Sequence, residues 1–224
     1  MTKFRQTGKE KFPDRDPDAV RAPARERHAA VDELAVKEDA LVRSALGGDA
    51  GAFGDLVRMH QERAIRIAAG LTNFEEARDL AQEAFVKAYE NLSRFKAQSR
   101  FFTWFYRILV NVCRDHLRKK MRTTQIFVRA AEPEDPDQMR AEPADARTPD
   151  ARQNLLSREL GGKIREGLET LPFRQKTAFT LRYLDGLSLE LIAQTMGLSV
   201  GAVKAHLWQA GEKMRRHLGA YLRA

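Results

Sequence analysis

Residues 123–153 hold Pro133, Pro136, Pro143 and Pro149 together with seven acidic and four basic side chains. A strip of that composition reads as a linker and divides the chain in two. On either side of it apolar residues recur at helical spacing, and strand-like alternation persists nowhere. The expected fold class is therefore all-α: two small helical domains, residues 31–122 and 154–224, joined by a flexible linker over 123–153. Residues 1–30 contain Pro13, Pro17 and Pro23, many charges and few apolar groups. Such a stretch cannot bury enough surface to offset its ordering entropy, so a flexible tail is expected there.

Charge follows the same division. Residues 1–40 carry 9 basic and 9 acidic groups, residues 41–122 carry 15 and 9, residues 123–153 carry 4 and 7, and residues 154–224 carry 11 and 6. The net charges are 0, +6, −3 and +5, which sum to the formal +8. Two basic blocks separated by an acidic strip point to polyanionic partners. The single cysteine, Cys113, rules out an intramolecular disulfide and suits a reducing compartment. No apolar run reaches ~18 residues, so no membrane-spanning helix is expected. The basic stretch Met1–Lys11 is followed by Pro and Asp instead of an apolar segment, which argues against a secretory signal. A cytoplasmic protein is expected.

In the first block Leu34, Leu41, Val42, Ala45 and Leu46 predict a helix stopped at Gly47-Gly48. A long amphipathic series runs from Phe53 to Leu71. Asn73 is placed to cap a helix over Glu75–Leu92, whose apolar stripe is Ala77, Leu80, Ala81, Ala84, Phe85, Ala88 and Leu92. Beyond Ser93–Arg100 comes a helix from Phe101 to about Lys120. It opens with five aromatics in six residues, Phe101, Phe102, Trp104, Phe105 and Tyr106. A helix that buries one face cannot hide all five, so Phe101, Phe105 and Ile108 are assigned inward and some of the others near the surface. Surface rings beside Arg100, Arg107, Arg114, Arg118, Lys119 and Lys120 suit single-stranded nucleic acid, with bases stacking on rings and cations following phosphates. An aromatic core with a basic, solvated end is the plainer alternative.

The second block resumes helical spacing at Leu155, Leu156, Leu160, Ile164 and Leu168. Pro172 opens another helix, which ends at Asp185-Gly186. Its sharpest signal is Ser188–Leu218. Ser188 can cap a first helix in which Leu189, Ile192, Ala193 and Met196 share a face. Gly197 then supplies the turn, and Ser199 can cap a second helix. There Val203, Leu207 and Ala210 face inward, while Lys204, Trp208, Lys213, Arg215 and Arg216 are mostly outward. This is the grammar of a helix-turn-helix whose second helix enters a major groove. A helical hairpin with a solvated basic face is the bland alternative.

Glu75, Glu76, Asp79 and Glu83 could suggest a carboxylate metal site. Helical di-metal sites usually need Glu-x-x-His pairs, and the first domain contains none. No metal, no cofactor and no catalytic residue are expected. A docking surface for a protein partner, anchored by Phe85 or Tyr89, is the remaining functional reading.

The two blocks together resemble the sigma-70 family of RNA polymerase sigma factors, group four, the extracytoplasmic-function subfamily. Asp79-Leu-Ala-Gln-Glu83-Ala-Phe85-Val-Lys-Ala-Tyr89 is similar to the family segment that grips core polymerase. Phe101-Phe-Thr103-Trp104-Phe-Tyr106-Arg107-Ile-Leu-Val-Asn111 is similar to the segment that melts and reads the −10 element, and Asp115-His-Leu-Arg118-Lys-Lys resembles its basic continuation. Leu171-Pro172 through Tyr183 and Gly186-Leu-Ser188 resembles the entrance to the fourth region, whose helix-turn-helix reads the −35 element. The resemblance implies partners: core polymerase, promoter DNA and an anti-sigma factor. It implies core-binding residues Asp79, Gln82, Glu83, Phe85, Val86 and Tyr89. For the −10 element it implies Lys96, Ser99, Arg100, Thr103, Trp104, Tyr106, Arg107, Asn111, Arg114, Arg118 and Lys119. For the −35 element it implies Ser199, Val200, Lys204, Ala205, Trp208, Gln209 and Arg215. Two departures stand out. The loop Lys96-Ala97-Gln98-Ser99-Arg100 replaces the usual Arg-Gly-Glu-Ser, and Gln209 and Gly211 stand where arginine is common. Promoter elements ~25 base pairs apart lie ~85 Å apart at ~3.4 Å per pair. A 31-residue linker spans at most about 100 Å, so both can be reached only if it is held open.

Overall fold

A computed structural model describes residues 24–97, 99–130 and 149–221. All elements among the described residues are helical. The chain divides after Glu38 into a smaller and a larger unit, the larger from Asp39 on. Helix α1 (Ala24–Leu46) begins inside the expected tail, and residues 1–23 lie outside the described residues.

The larger unit opens with the end of α1, where Gly48 at φ +96° makes the expected stop. Asp49 caps α2 (Ala50–Leu71), its carboxylate accepting from the Gly51 and Ala52 amides. Asn73 caps α3 (Phe74–Glu90) by accepting from the Glu76 amide at 2.8 Å. These caps satisfy amides that a helix start otherwise leaves without partners, typically stabilising by about 1 kcal/mol each. A 3₁₀ turn (Leu92–Arg94) leads to α4 (Phe101–Ala130), and α2, α3 and α4 pack together. Helix α5 (Pro149–Glu169) and α6 (Phe173–Phe179) follow, and α6 continues as one π turn (Thr180–Leu184). Ser188 caps α7 (Leu189–Met196), and α8 (Val200–Tyr221) completes the chain.

Two expectations change. The strip over 123–153 is helical at both ends, since α4 runs on to Ala130 and α5 starts at Pro149; residues 131–148 lie outside the described residues. The two helical domains also meet, which the sequence did not indicate. A single apolar core runs from Val42 through Leu56, Ile67, Phe105 and Leu109 into Leu181, Ile192 and Val203. A smaller cluster of Leu168, Leu171, Ala210 and Met214 belongs to the second block alone.

Candidate nucleic-acid interface

The turn between α7 and α8 has the expected geometry. Gly197 sits at φ +65°, ψ +41°, and the Leu198 amide donates to the Ala193 carbonyl at 3.0 Å. That is how a glycine closes one helix and redirects the chain into the next. Ser199 caps α8, its hydroxyl accepting from the Ala202 amide at 3.2 Å. Ile192, Ala193 and Val203 are buried where the helices cross. Val200 is half-buried, whereas Lys204, Ala205 and Gln209 are exposed and Trp208 is 63% exposed. Gln209 accepts from Gln175 at 2.8 Å, and Arg215 pairs with Glu212 one turn away. The outer face of α8 thus carries a cation, an indole and an amide with little apolar cover, a fit for base edges and phosphates in a groove.

The aromatic start of α4 is more deeply buried than expected. Phe101, Phe102, Phe105 and Tyr106 are all buried, Tyr106 completely, and Thr103 is 3% exposed. Trp104 is the one ring of the five that is only half-buried. The reason is that α4 packs against α2, α3 and α7, so more than one of its faces is covered. Phe85 stacks on Phe105 with ring centroids 4.2 Å apart. Arg63 lies 6.0 Å over the Tyr106 ring. Surface positions for Thr103 and Tyr106 are therefore corrected: in this arrangement both are core. Ile108, expected inward, is only half-buried.

Around Trp104 the basic residues do reach solvent. Lys96, Ser99, Arg100, Arg107, Asn111, Arg118 and Lys119 are exposed, and Arg114 is half-buried beside Asp115 at 3.5 Å. A hollow of about 370 Å³ next to Trp104 is lined also by Lys87, Asn91 and Arg94 from the end of α3 and the following turn. Sequence reasoning missed these three, because nothing local shows that the end of one helix will flank the middle of another. Arg122 likewise extends the basic face past Lys119. In the loop before α4, Ala97 holds φ +53°, a left-handed conformation that a side chain rarely adopts.

Among the ionisable groups, burial pulls the Glu76 carboxyl upward. The hydrogen bond from Lys120 and the charges of His116 and Lys120 outweigh it and leave Glu76 below its ordinary value. Burial pushes the Cys113 thiol up to about 12, so it stays an unreactive core residue. No group of three or more His, Cys, Asp or Glu is placed to hold a metal among the described residues.

A third surface lies between α2 and α3. An apolar groove of about 560 Å³ is formed by Phe53, Val57 and Ile65 on one side and Phe85, Val86 and Tyr89 on the other. Val86 and Tyr89 are 52% and 53% exposed, whereas Phe85 is 7% exposed and serves the core as much as the surface. Gln82 lines the same groove; Asp79 and Glu83 are exposed but stand outside its lining, Glu83 paired with Lys87 at 2.6 Å.

Comparison with known proteins agrees with this layout. Residues 56–123 match the family model for sigma-70 region 2, and residues 161–214 match that for sigma-70 region 4. The chain is 32% identical over 178 residues to the ECF RNA polymerase sigma factor SigW of Bacillus subtilis, covering 79% of this chain and 94% of the relative. It is 33% identical over 181 residues to the ECF RNA polymerase sigma-E factor of Haemophilus influenzae, covering 81% and 95%. The same fold occurs in CnrH, solved in complex with the cytosolic domain of CnrY, at a TM-score of 0.60 and 24% identity over 82% of this chain and 98% of that one. It also occurs in RpoE of Bartonella quintana, solved with the anti-sigma factor NepR, at a TM-score of 0.53 and 21% identity over 75% and 96%. With both regions matched in the expected order and relatives covered nearly end to end, the chain belongs to the extracytoplasmic-function sigma factors of the sigma-70 family.

Proposed function

We propose that this sigma factor divides promoter recognition among three surfaces of one helical unit. The groove between α2 and α3 seats a helix of core RNA polymerase, with Val86 and Tyr89 as exposed anchors and Gln82 at the rim. The face around Trp104, with Lys96, Ser99, Arg100, Arg107, Asn111, Arg114, Arg118 and Lys119, takes the unpaired −10 strand. Ser199, Val200, Lys204, Ala205, Trp208, Gln209 and Arg215 take the −35 duplex. The role is that of a specificity factor without chemistry of its own, acting in the cytoplasm and restrained by an anti-sigma protein that covers the DNA-reading surfaces.

The observation that carries this reading is the open apolar groove, because a solvated acidic face would not leave Val86 and Tyr89 half-exposed beside each other. Val86→Asp places a charge in it and should weaken core binding by tenfold or more, the loss of a typical anchor. Asp79→Lys, outside the lining, should do less. The measurement is co-purification with core polymerase, with circular dichroism as the folding control. Native circular dichroism with undiminished core binding in Val86→Asp would remove the groove from the docking surface.

A further inference from the structure

Helix α8 is held from behind by α5 and α6. Ala210 and Met214 are buried against Leu168 and Leu171, and Ala178 of α6 is buried as well. This packing sets the rotation of α8 and leaves Gln209, the residue before Ala210, at the seam where α6 borders the outer face. Across that seam Gln175 Nε2 donates to Gln209 Oε1 at 2.8 Å.

A glutamine amide has two unlike ends, a carbonyl that accepts and an NH2 that donates twice. In Gln175 the two ends meet different surroundings. Its Oε1 is enclosed and has no hydrogen-bond partner among the described residues, whereas its Nε2 reaches Gln209. The reverse placement would enclose two N–H donors instead, and among peptide groups buried donors go unpaired more rarely than carbonyls. Enclosure of the Gln175 carbonyl thus turns its NH2 outward, and the Gln209 carbonyl turns to meet it. What α8 then offers to solvent at this position is the Gln209 NH2. An unpaired, enclosed carbonyl is a cost to the fold. An apolar side chain of similar length would fill the place without it, so stability alone does not account for Gln175.

A free glutamine can turn either end of its amide toward a base and so discriminates little. Held by its carbonyl it is a donor, and fixing the side chain in advance removes an ordering cost from binding. Major-groove edges differ in how they meet a donor. Guanine offers N7 and O6, adenine N7 and thymine O4 as acceptors, while cytosine presents only its N4 amino group. We infer that Gln175 is a positioning residue for −35 recognition: its bond to Gln209 presents the NH2 of that side chain to the major groove and makes α8 reject cytosine at one position of the element. The inference rests on the assignment of the outer face of α8 to the −35 duplex. A neutral donor lacks the charge that draws lysine and arginine to phosphates, which favours a base edge as its partner.

The test uses holoenzyme reconstituted from core polymerase and the full-length chain. The probe is duplex DNA randomised over the −35 element and joined to a −10 segment already melted, so that selection and sequencing of bound DNA report upstream reading alone. The parent should disfavour cytosine about fivefold at one position, the effect of one neutral hydrogen bond. Gln175→Met should abolish that bias and leave the preferences at other positions as they were. Gln175→Glu should invert it, because a carboxylate accepts from the Gln209 NH2 and turns Oε1 outward, toward the amino groups of cytosine and adenine. Gln209→Met should match Gln175→Met, and joining the two should add nothing, since Gln175 acts only through Gln209. A merely structural Gln175 would lower binding to every sequence alike. That result, or an unchanged cytosine bias in Gln175→Met, overturns the inference. Should Gln175→Met fail to fold, a cytosine bias that survives Gln209→Met overturns it equally. Lys204→Ala separates this inference from the reading beneath it. If the selected sequences ignore Lys204→Ala too, the −35 assignment of α8 falls; if they respond to it while ignoring Gln175→Met, that assignment stands and only the role of Gln175 is lost.

Discussion

The two helices proposed to read DNA are held in opposite ways. Helix α8 rests on its own region through Val203, Ala210 and Met214 and leaves Lys204, Ala205, Trp208 and Gln209 outside. Helix α4 is hemmed by α2, α3 and α7 and buries four of its five leading aromatics. The difference matches what each would read. A duplex groove exists before the protein arrives, so a stiff rod with a projecting face suffices. An unpaired strand has no fixed shape, and capturing it requires a rigid floor with few, well-placed rings at its rim. In α4 most of the aromatics build that floor, and Trp104 is left at the rim.

The largest expected effect comes from breaking the floor. Phe105 is fully buried, stacked on Phe85 and parallel to Phe101 at 6.2 Å. Phe105→Ala should cost about 3–5 kcal/mol, against about 2–5 kcal/mol for Ile192→Ala in region 4. A domain of this kind has a total stability of only about 5–15 kcal/mol. Because Phe105 and Ile192 share one apolar core, the parent should unfold in a single transition in urea and either change should shift all of it. Two transitions in the parent, with Ile192→Ala moving only one, would show that the regions are independent and that the contrast between the helices is merely local.

A smaller effect is expected at the rim. Trp104 is half-buried, 5.1 Å from Phe95 and 5.7 Å from Phe101 between ring centroids. Trp104→Ala should leave a folded chain that binds core polymerase but forfeits about 1–3 kcal/mol of stacking on a base. Promoter opening, followed by permanganate reactivity of unpaired thymines, should slow roughly ten- to a hundredfold. A template already melted at −10 should recover most of the loss. If Trp104→Ala unfolds the chain, the ring belongs to the floor and the aromatic helix has no stacking rim.

Much of this was legible in the sequence because it was written locally. The caps at Asn73, Ser188 and Ser199 and the turn at Gly197 are each decided by residues three or four apart, and the structure forms all of them. What periodicity could not show was how many neighbours a helix would have. Five aromatics exceed one buried face, but α4 has more than one, which is why Tyr106 and Thr103 are core. The same limit hid Lys87, Asn91 and Arg94 beside Trp104, and Phe53, Val57 and Ile65 opposite Tyr89. Composition also misjudged the linker's ends, since α4 carries on to Ala130 before the first proline. The close approach of Thr180 to Gly70 could not be foreseen, because a helical glycine shows its purpose only once a neighbour lies upon it.

The smallest effect concerns the turns that precede α8 and α4. Each uses a left-handed residue: Gly197 at φ +65° before α8, and Ala97 at φ +53° before α4. A side chain in that conformation costs about 1–2 kcal/mol. At Gly197 nothing lies within 4 Å of where a methyl would sit, so Gly197→Ala should lose about that amount from backbone strain alone. The reverse change, Ala97→Gly, relieves the strain but gives the unfolded chain more freedom, which takes back about 0.4–1 kcal/mol. The net gain should be under about 1 kcal/mol, a rise in melting temperature of a few degrees at most for a chain of this size. Thermal melts of both variants measure the contrast directly. A drop in melting temperature for Ala97→Gly would mean that contacts of the Ala97 methyl outweigh its strain. The region 2 turn would then be held by side-chain packing, where the region 4 turn is held by the freedom of glycine.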